Sequence, residues 1–350
     1  MNCYSCNAIS QIHFVINDRI DIPDEKCIAM CCNQGLENLP STFLSDNPRE
    51  NLERFIGMRH LEIIRGLSDD AKDQDFACAR CWQYVKKDWQ FSTHIFYVNL
   101  SIYPSPCQCR CSYCDVYTDE CNSLKYVKET PAVSAAYENV FETLKLAKKI
   151  GIVIHQETRW QVSCGEITIH PYKKEMLDLV RGEKICFYTN AFIFDKDIAR
   201  ELHDNPAAAI NLSIDAGTAD TWRKVKRVDN FNHVLENLKA YRKASYSSRR
   251  QIPLKYIVMP GINDSEEDFR AFVDIVKLLN VEFISIARDL GVKREPPLID
   301  GFFSKQVESA ARLLAICSFN GLGIGYFHEY TDEEQKCVIF LASKLLENMR

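Results

Sequence analysis

No run of about 18 consecutive apolar residues occurs in the 350-residue sequence, which excludes a transmembrane helix of ordinary length. The opening residues, Met1-Asn2-Cys3-Tyr4-Ser5-Cys6, carry neither the basic nor the apolar region of a secretory signal, so a cytoplasmic protein is expected. Basic charge is not in excess either. With 43 Lys and Arg against 48 Asp and Glu, the formal charge is −5, and no global field gathers a polyanion. Nucleic acid is therefore not an expected partner. The one basic stretch, Arg242-Lys243 to Arg249-Arg250 with Tyr241 and Tyr246 interleaved, reads as a solvated loop before a strand, with a nucleic-acid patch as the alternative. Internal repeats, low-complexity tracts, an H-E-x-x-H pair and a Ser/His/Asp arrangement are all missing, which removes solenoids and the commonest hydrolytic sites. Hydrophobic residues at 46% and charged residues at 26% place the chain among globular proteins rather than disordered or fibrous ones.

What the sequence does have is cysteine, sixteen in all. A chain of this length can bury its own core, and without an export signal the thiols are expected to stay reduced, which turns the reading from disulfides toward metal ligation. Their distribution supports this. Seven fall in the first 81 residues (Cys3, Cys6, Cys27, Cys31, Cys32, Cys78, Cys81), five between 107 and 121, and only Cys164, Cys186, Cys317 and Cys337 beyond. Cysteines used as small core hydrophobes would be scattered.

From about residue 95 short β-branched runs alternate with longer segments of helical period. Strands are predicted at Ile95–Ser101, Gln161–Ser163, Ile185–Thr189, Ala209–Ile214, Leu254–Met259 and Phe283–Ala287. Helices are predicted over 133–149, Lys173–Val180, Asp195–His203, 218–226, 230–244 and Glu266–Leu279. Six strands with helical crossovers imply parallel pairing, hence an α/β fold with a curved sheet or partial (β/α)6 barrel whose active site lies at the carboxyl ends of the strands. The tail, 291–350, holds a helical pattern over 303–317, an apolar run Leu322–Phe327 and a last helix from about 332, and is expected to close or cover the barrel. Residues 1–90 stand apart, with a hairpin-like segment Gln11–Ile22 turning at Asn17-Asp18 and a helical patch near 48–65. The expected division is thus 1–90, 91–290 and 291–350.

The loop after the first strand reads Pro106-Cys107-Gln108-Cys109-Arg110-Cys111-Ser112-Tyr113-Cys114. Cys107, Cys111 and Cys114, spaced C-x3-C-x2-C, suit three irons of a cubane cluster. Such clusters normally take four thiolates, so three leave one iron open to a further ligand. A structural zinc knuckle, with Cys109 as fourth ligand, is the alternative.

This motif, with Tyr113 just before the last cysteine, closely resembles that of the radical S-adenosylmethionine (radical SAM) superfamily. Later segments agree in order. Ser163-Cys164-Gly165-Glu166 stands where the family carries Gly-Gly-Glu for the methionyl amino group, with Cys164 in place of one glycine. Asn211-Leu212-Ser213-Ile214-Asp215 resembles the polar strand end that contacts ribose and carboxylate, although Ser213 and Asp215 also read as a strand-to-helix cap. Met259-Pro260-Gly261-Ile262-Asn263 resembles the turn that supports adenine. The resemblance, over roughly 95–290, implies a [4Fe-4S] cluster on Cys107, Cys111 and Cys114. It also implies SAM held near Tyr113, Gly165, Glu166, Ser213 and Asp215, and an electron donor such as flavodoxin or ferredoxin. The implied chemistry is reductive cleavage of SAM and hydrogen abstraction from a substrate carbon.

Cys78-Ala79-Arg80-Cys81, with Cys31-Cys32 upstream and Cys6 before the hairpin-like segment, resembles the SPASM/Twitch auxiliary-cluster modules of such enzymes, here ahead of the barrel. The resemblance implies a second, auxiliary [4Fe-4S] cluster on Cys6, Cys31, Cys78 and Cys81, with Cys32, Cys3 and Cys27 as substitutes in that order. A zinc site on Cys3, Cys6, Cys78 and Cys81 is the alternative. Cys121 and Cys164 are candidate hydrogen donors to a substrate radical, against burial as ordinary small side chains. The implied substrate is a peptide, with a carbohydrate or cyclitol as runner-up. A noncatalytic iron–sulfur electron carrier is the reading from a different class.

Overall fold

The computed structural model describes residues 1–18, 26–31, 40–81, 83–100, 107–114, 131–162, 165–245, 250–289 and 292–349. Cys32, Cys121, Ser163 and Cys164 lie outside them. Two compact units are formed, one from residues 1–105 with 126–187, the other from 106–125 with 188–350. The fold class is α/β, built on parallel strands as expected of a partial (β/α) barrel.

In the first unit Tyr97–Asn99, Arg159–Val162 and Lys184–Tyr188 run parallel, Tyr97 opposite Arg159 and Arg159 opposite Lys184. Helices Pro131–Lys149 and Lys173–Val180 provide the crossovers. Trp160 and Val162 are buried while Arg159 is exposed, the alternation that seats a strand against a helix layer. Val140, Leu144 and Ala147, at helical spacing, are fully buried beneath it. His13–Asp18 extends this sheet, parallel to Tyr97–Asn99 and antiparallel to Lys26–Ala29, which pairs in turn with Ser41–Phe43.

The hairpin is therefore longer than the sequence suggests. Asn17 stands opposite Cys27 and Asp18 opposite Lys26, so the pair expected to turn the chain belongs to the strand. A two-residue turn needs positive φ at its centre, which glycine supplies, and no glycine follows Asn17 here. Helix Pro48–Gly66 begins with proline in its first turn and the Asn47 side chain accepting from the Arg49 and Glu50 N–H groups. Its Phe55 packs edge-on to Phe14, ring centres 5.1 Å apart, and Asn51 donates to Thr143 Oγ1 at 2.9 Å. The first strand, Asn2–Ser5, pairs antiparallel with Val85–Asp88.

In the second unit Ala209–Ser213, Leu254–Val258, Phe283–Arg288 and Gly323–His328 are parallel neighbours in that order. The apolar run of the tail is thus a further parallel strand. Helices Lys196–Asp204, Ala219–Lys226, Phe231–Ala244, Glu266–Leu278, Lys305–Phe319 and Asp332–Met349 complete the unit. Trp222, Tyr241, Tyr256, Phe269 and Phe272 are fully buried within it. No helix among the described residues is long and apolar enough to cross a membrane.

Candidate functional site

Residues 107–114 form a loop of the second unit, fastened to the end of helix Ala219–Lys226. Its Arg110 N–H donates to the Lys226 carbonyl at 3.0 Å and its Ser112 N–H to the Val225 carbonyl at 2.9 Å. These carbonyls are among the last of the helix, which have no partner within it. Arg227 ends the helix at φ +57°. Cys114 N–H closes a turn on the Cys111 carbonyl at 3.1 Å. Tyr113 packs on an apolar pad of Val225, Ile257, Met259 and Ala287.

Beneath the loop lies a buried ion pair. Lys226 Nζ stands 2.6 Å from Asp215 Oδ2, and both side chains are almost wholly out of contact with solvent. The same ammonium donates to the Tyr113 hydroxyl and the Ser213 carbonyl, each at 2.6 Å. Tyr113 Oη donates in turn to Asp215 Oδ2 at 2.7 Å. Asp215 Oδ1 accepts from the Ile257 N–H at 2.7 Å. Both carboxylate oxygens are therefore engaged, and the residue sits at φ +52°. Asn263, itself buried, donates to the carbonyls of Asp215 and Ile257 at 2.9 and 2.8 Å and accepts from Met259 N–H at 2.8 Å. The sequence-predicted Ser213, Asp215 and Met259–Asn263 segments thus converge on one knot under the cysteine loop.

Among the loop thiols, Cys109 is buried and Cys107, Cys111 and Cys114 are half-buried. Hydrogen bonding to Cys107 and Cys111, followed by burial, drives the Cys109 thiol pKa up. Cys111 is lowered to about 6 by the Cys109 hydrogen bond, against burial, with help from the Lys226 charge. Asn190 Nδ2 lies 3.4 Å from Cys107 Sγ and donates to Gln108 Oε1 at 3.0 Å. The Tyr113 hydroxyl is raised well above its ordinary value by burial and by Asp215. Burial opposes the charge on Lys226, but the negative charges of Asp215, Cys111 and Cys109 prevail and hold its pKa up.

In the first unit Gly165 takes φ +55°, a conformation that explains glycine at this position. Glu166 is fully buried, its Oε1 accepting from the N–H and hydroxyl of Thr168 at 3.1 and 2.8 Å. The carboxylate thereby caps the short turn Ile167–Ile169.

In the first unit Cys78 lies within reach of the charges of Cys6, Cys31 and Cys81. The Cys78 thiol is raised by burial first, then by the negative charges of Glu62, Cys6, Cys31 and Cys81. Burial raises the Cys6 thiol, the N–H groups of Ile9 and Ala8 oppose the rise, and the charges of Cys81 and Glu62 add to it. Cys3 Sγ lies 3.6 Å from the Met1 carbonyl, and Cys27 is buried on its strand. Lys72 Nζ fastens the Cys78–Cys81 turn through the carbonyls of Ala79 and Cys81 at 2.9 and 2.7 Å.

The surroundings of both donor sets bear on the cluster that the cysteine pattern implies. Within reach of the Cys78 charge, Glu62 Oε2 and Tyr84 Oη are buried without a hydrogen-bond partner among the described residues, as is Ser5 Oγ, the chain neighbour of Cys6. Glu62 and Tyr84 both sense the charge of these cysteines, and the Tyr84 hydroxyl is a donor of the kind that can serve a sulfur ligand. At the loop the donors are cysteine sulfurs, with Cys111 favoured as thiolate, and an amide N–H directed at Cys107 sulfur, the groups that iron–sulfur sites use. Among the described residues no three His, Cys, Asp or Glu side chains converge on a single metal-ion position. The fit rests on donor chemistry and charge.

Three residues of these sites escaped the sequence. Lys226 and Asn190 belong to the loop site, and Lys255 lies on the strand beside Ser213, with Ser285 on its other flank. The Lys255 side chain makes no hydrogen bond or ion pair with the described residues, and burial lowers its pKa. A lysine at a helix end, an asparagine after a strand and a lone lysine in an apolar run are each too common to signal a site.

Residues 104–273 match the family model of the Radical SAM superfamily. The probable GTP 3′,8-cyclase of Saccharolobus solfataricus is 26% identical over 186 residues, 51% of this chain and 53% of that protein. The GTP 3′,8-cyclase of Geobacter sulfurreducens is 25% identical over 198 residues, 55% of this chain and 56% of that one. The chain thus spans about half the length of the curated relatives it matches. Among solved structures, Streptococcus suis SuiB bound to its precursor peptide SuiA aligns with a TM-score of 0.48 at 12% identity, covering 98% of this chain and 75% of that one.

Proposed function

Because the chain belongs to the radical SAM superfamily through the domain at residues 104–273, we propose that Cys107, Cys111 and Cys114 hold the [4Fe-4S] cluster at which SAM is cleaved, and that hydrogen is then taken from a peptide carbon. The observation that carries the reading is a loop with three half-buried thiols, Cys111 favoured as thiolate, fastened to the polar end of Ala209–Ser213. A cluster held by Cys107, Cys111 and Cys114 would supply the electron for reductive cleavage of SAM, the chemistry that makes an unactivated C–H bond reactive.

The chain's own residues position and tune. Asn190 offers an N–H to Cys107, and the knot of Asp215, Lys226 and Asn263 fixes the loop to the strand ends. Gly165, Glu166, Tyr113 and Ser213 are proposed for SAM contact on the family resemblance. Asp215 serves differently, since its carboxylate is already committed to Tyr113, Lys226 and the Ile257 main chain. Cys121 and Cys164 stay proposed hydrogen donors.

Cys6, Cys31, Cys78 and Cys81 are proposed to hold the auxiliary cluster, supported by their mutual charge interactions and by the orphaned polar atoms of Ser5, Glu62 and Tyr84. On this reading 1–90 is the auxiliary module, 91–290 the radical domain and 291–350 the cap, in a cytoplasmic enzyme fed by a flavodoxin or ferredoxin. Membership of an enzyme family sets aside the noncatalytic carrier.

The peptide substrate is supported by the likeness of the amino-terminal cysteines to auxiliary-cluster modules. A second reading is favoured by Lys255, whose ammonium pairs with no side chain among the described residues and suits an anionic substrate such as the GTP in the names of the curated relatives.

Anaerobic reconstitution, reduction and addition of SAM test the reading. It predicts 5′-deoxyadenosine, and redox cycling with SAM left intact would contradict it. Stimulation of the yield by peptides supports the first substrate, and stimulation by GTP the second.

A further inference from the structure

Lys226 grips the cysteine loop in two ways that bracket one thiol. Through the main chain, the end of its helix accepts the N–H groups of Arg110 and Ser112, the residues on either side of Cys111. Through the side chain, its ammonium divides three bonds among Tyr113 Oη, Ser213 O and Asp215 Oδ2, all at 2.6 Å. Cys111 is therefore the thiol whose place the helix end determines.

This arrangement is expensive for a fold. Burying both members of an ion pair costs desolvation that an apolar substitute avoids, and breaking the pair is worse than replacing it whole. The surroundings are already apolar, with Val225, Ile257, Met259 and Ala287 packed around Tyr113. Packing alone would be served at least as well by apolar side chains. What the pair adds is direction, through hydrogen bonds of fixed geometry, and a permanent positive charge near sulfur.

We propose that Lys226 is a positioning residue of the SAM-cleaving cluster: it seats Cys111 through Arg110, Ser112 and Tyr113, and its charge sets the cluster's reduction potential. A cation near an iron–sulfur cluster stabilises the more negative, reduced form and raises the potential. Asp215 opposes this in part and aims the ammonium. The inference rests on the proposed ligation by Cys107, Cys111 and Cys114.

The test is an EPR-monitored redox titration of the full chain without SAM, with iron and sulfide counted in each variant. To isolate the loop cluster, all variants are made in a Cys78→Ala/Cys81→Ala background. Lys226→Met is expected to move the potential to a more negative value and Lys226→Arg to restore it toward that of the background protein. Tyr113→Phe, which keeps the charge, is expected to move it less than Lys226→Met. An unchanged potential in Lys226→Met at full iron content overturns the inference. Should Lys226→Met lose its iron, Asp215→Asn serves instead: removal of the opposing negative charge is expected to shift the potential upward, and no shift or a downward one overturns the inference. Failure of the background protein to hold any cluster would sink the ligation itself, a separate result.

Discussion

Asn263 shows how much of the site depends on single polar atoms. Its amide satisfies the carbonyls of Asp215 and Ile257 and the N–H of Met259, all in the interior. Asn263→Ala would leave these groups buried and unpaired, at about 1–3 kcal/mol for each group that water cannot reach. The variant is expected to melt at a clearly lower temperature than the wild type, while an unchanged melting curve would show that the knot is dispensable. The sequence exposed this residue only as part of a turn after a strand. Asp215 was likewise legible as a polar strand end, but its commitment to Tyr113 and Lys226 was not, because the three residues are distant in sequence and meet only through the fold. Lys226 was hidden for another reason. Cations are favoured at helix C-termini generally, so one more lysine there carries no signal.

At the level of elements, hydrophobic period was sufficient for the barrel strands and helices, because a strand between two helix layers and a helix against a sheet each bury a regular pattern. Leu254–Val258 and Lys173–Val180 fall within a residue of their expected bounds. The amino-terminal hairpin was harder. Its pairing partner, Lys26–Ala29, is short, and its turn lacks the glycine that marks tight hairpins. These elements also carry histidines inward. His13 on the first hairpin strand packs against Tyr97, ring centres 5.1 Å apart, and His170 bonds to Tyr137 at 2.7 Å. His328 lies on the last strand. Burial lowers all three from 6.5 to about 4, with the Lys255 charge adding to the effect at His328. Since the unfolded chain binds these protons more readily than the folded one, their contribution to stability is intact above pH 6.5 and is lost progressively as pH falls toward 4. Denaturation midpoints measured across that window are expected to fall with pH, and replacement of His170 by Asn should flatten the slope. A slope unchanged by that replacement would place the dependence elsewhere.

Over the whole molecule, two compact units interleave in sequence, and each carries one of the cysteine groups. The loop thiols belong to the second unit and Cys6, Cys31, Cys78 and Cys81 to the first. Spacing alone made the C-x3-C-x2-C motif legible. The sequence already favoured Cys31 over Cys3 beside the C-x2-C pair; what it did not show is the buried Glu62 carboxylate, whose charge reaches Cys78 from helix Pro48–Gly66.

The central claim is that three thiolates leave one iron free to bind SAM, and it is tested most directly in the Cys78→Ala/Cys81→Ala variant, where the auxiliary site is disabled. The account predicts that iron falls by about four per chain relative to the wild type, and that the EPR signal of the remaining reduced cluster changes when SAM is added. Iron content unchanged by the double substitution would contradict the auxiliary assignment, and a signal indifferent to SAM would contradict the open iron at Cys107, Cys111 and Cys114.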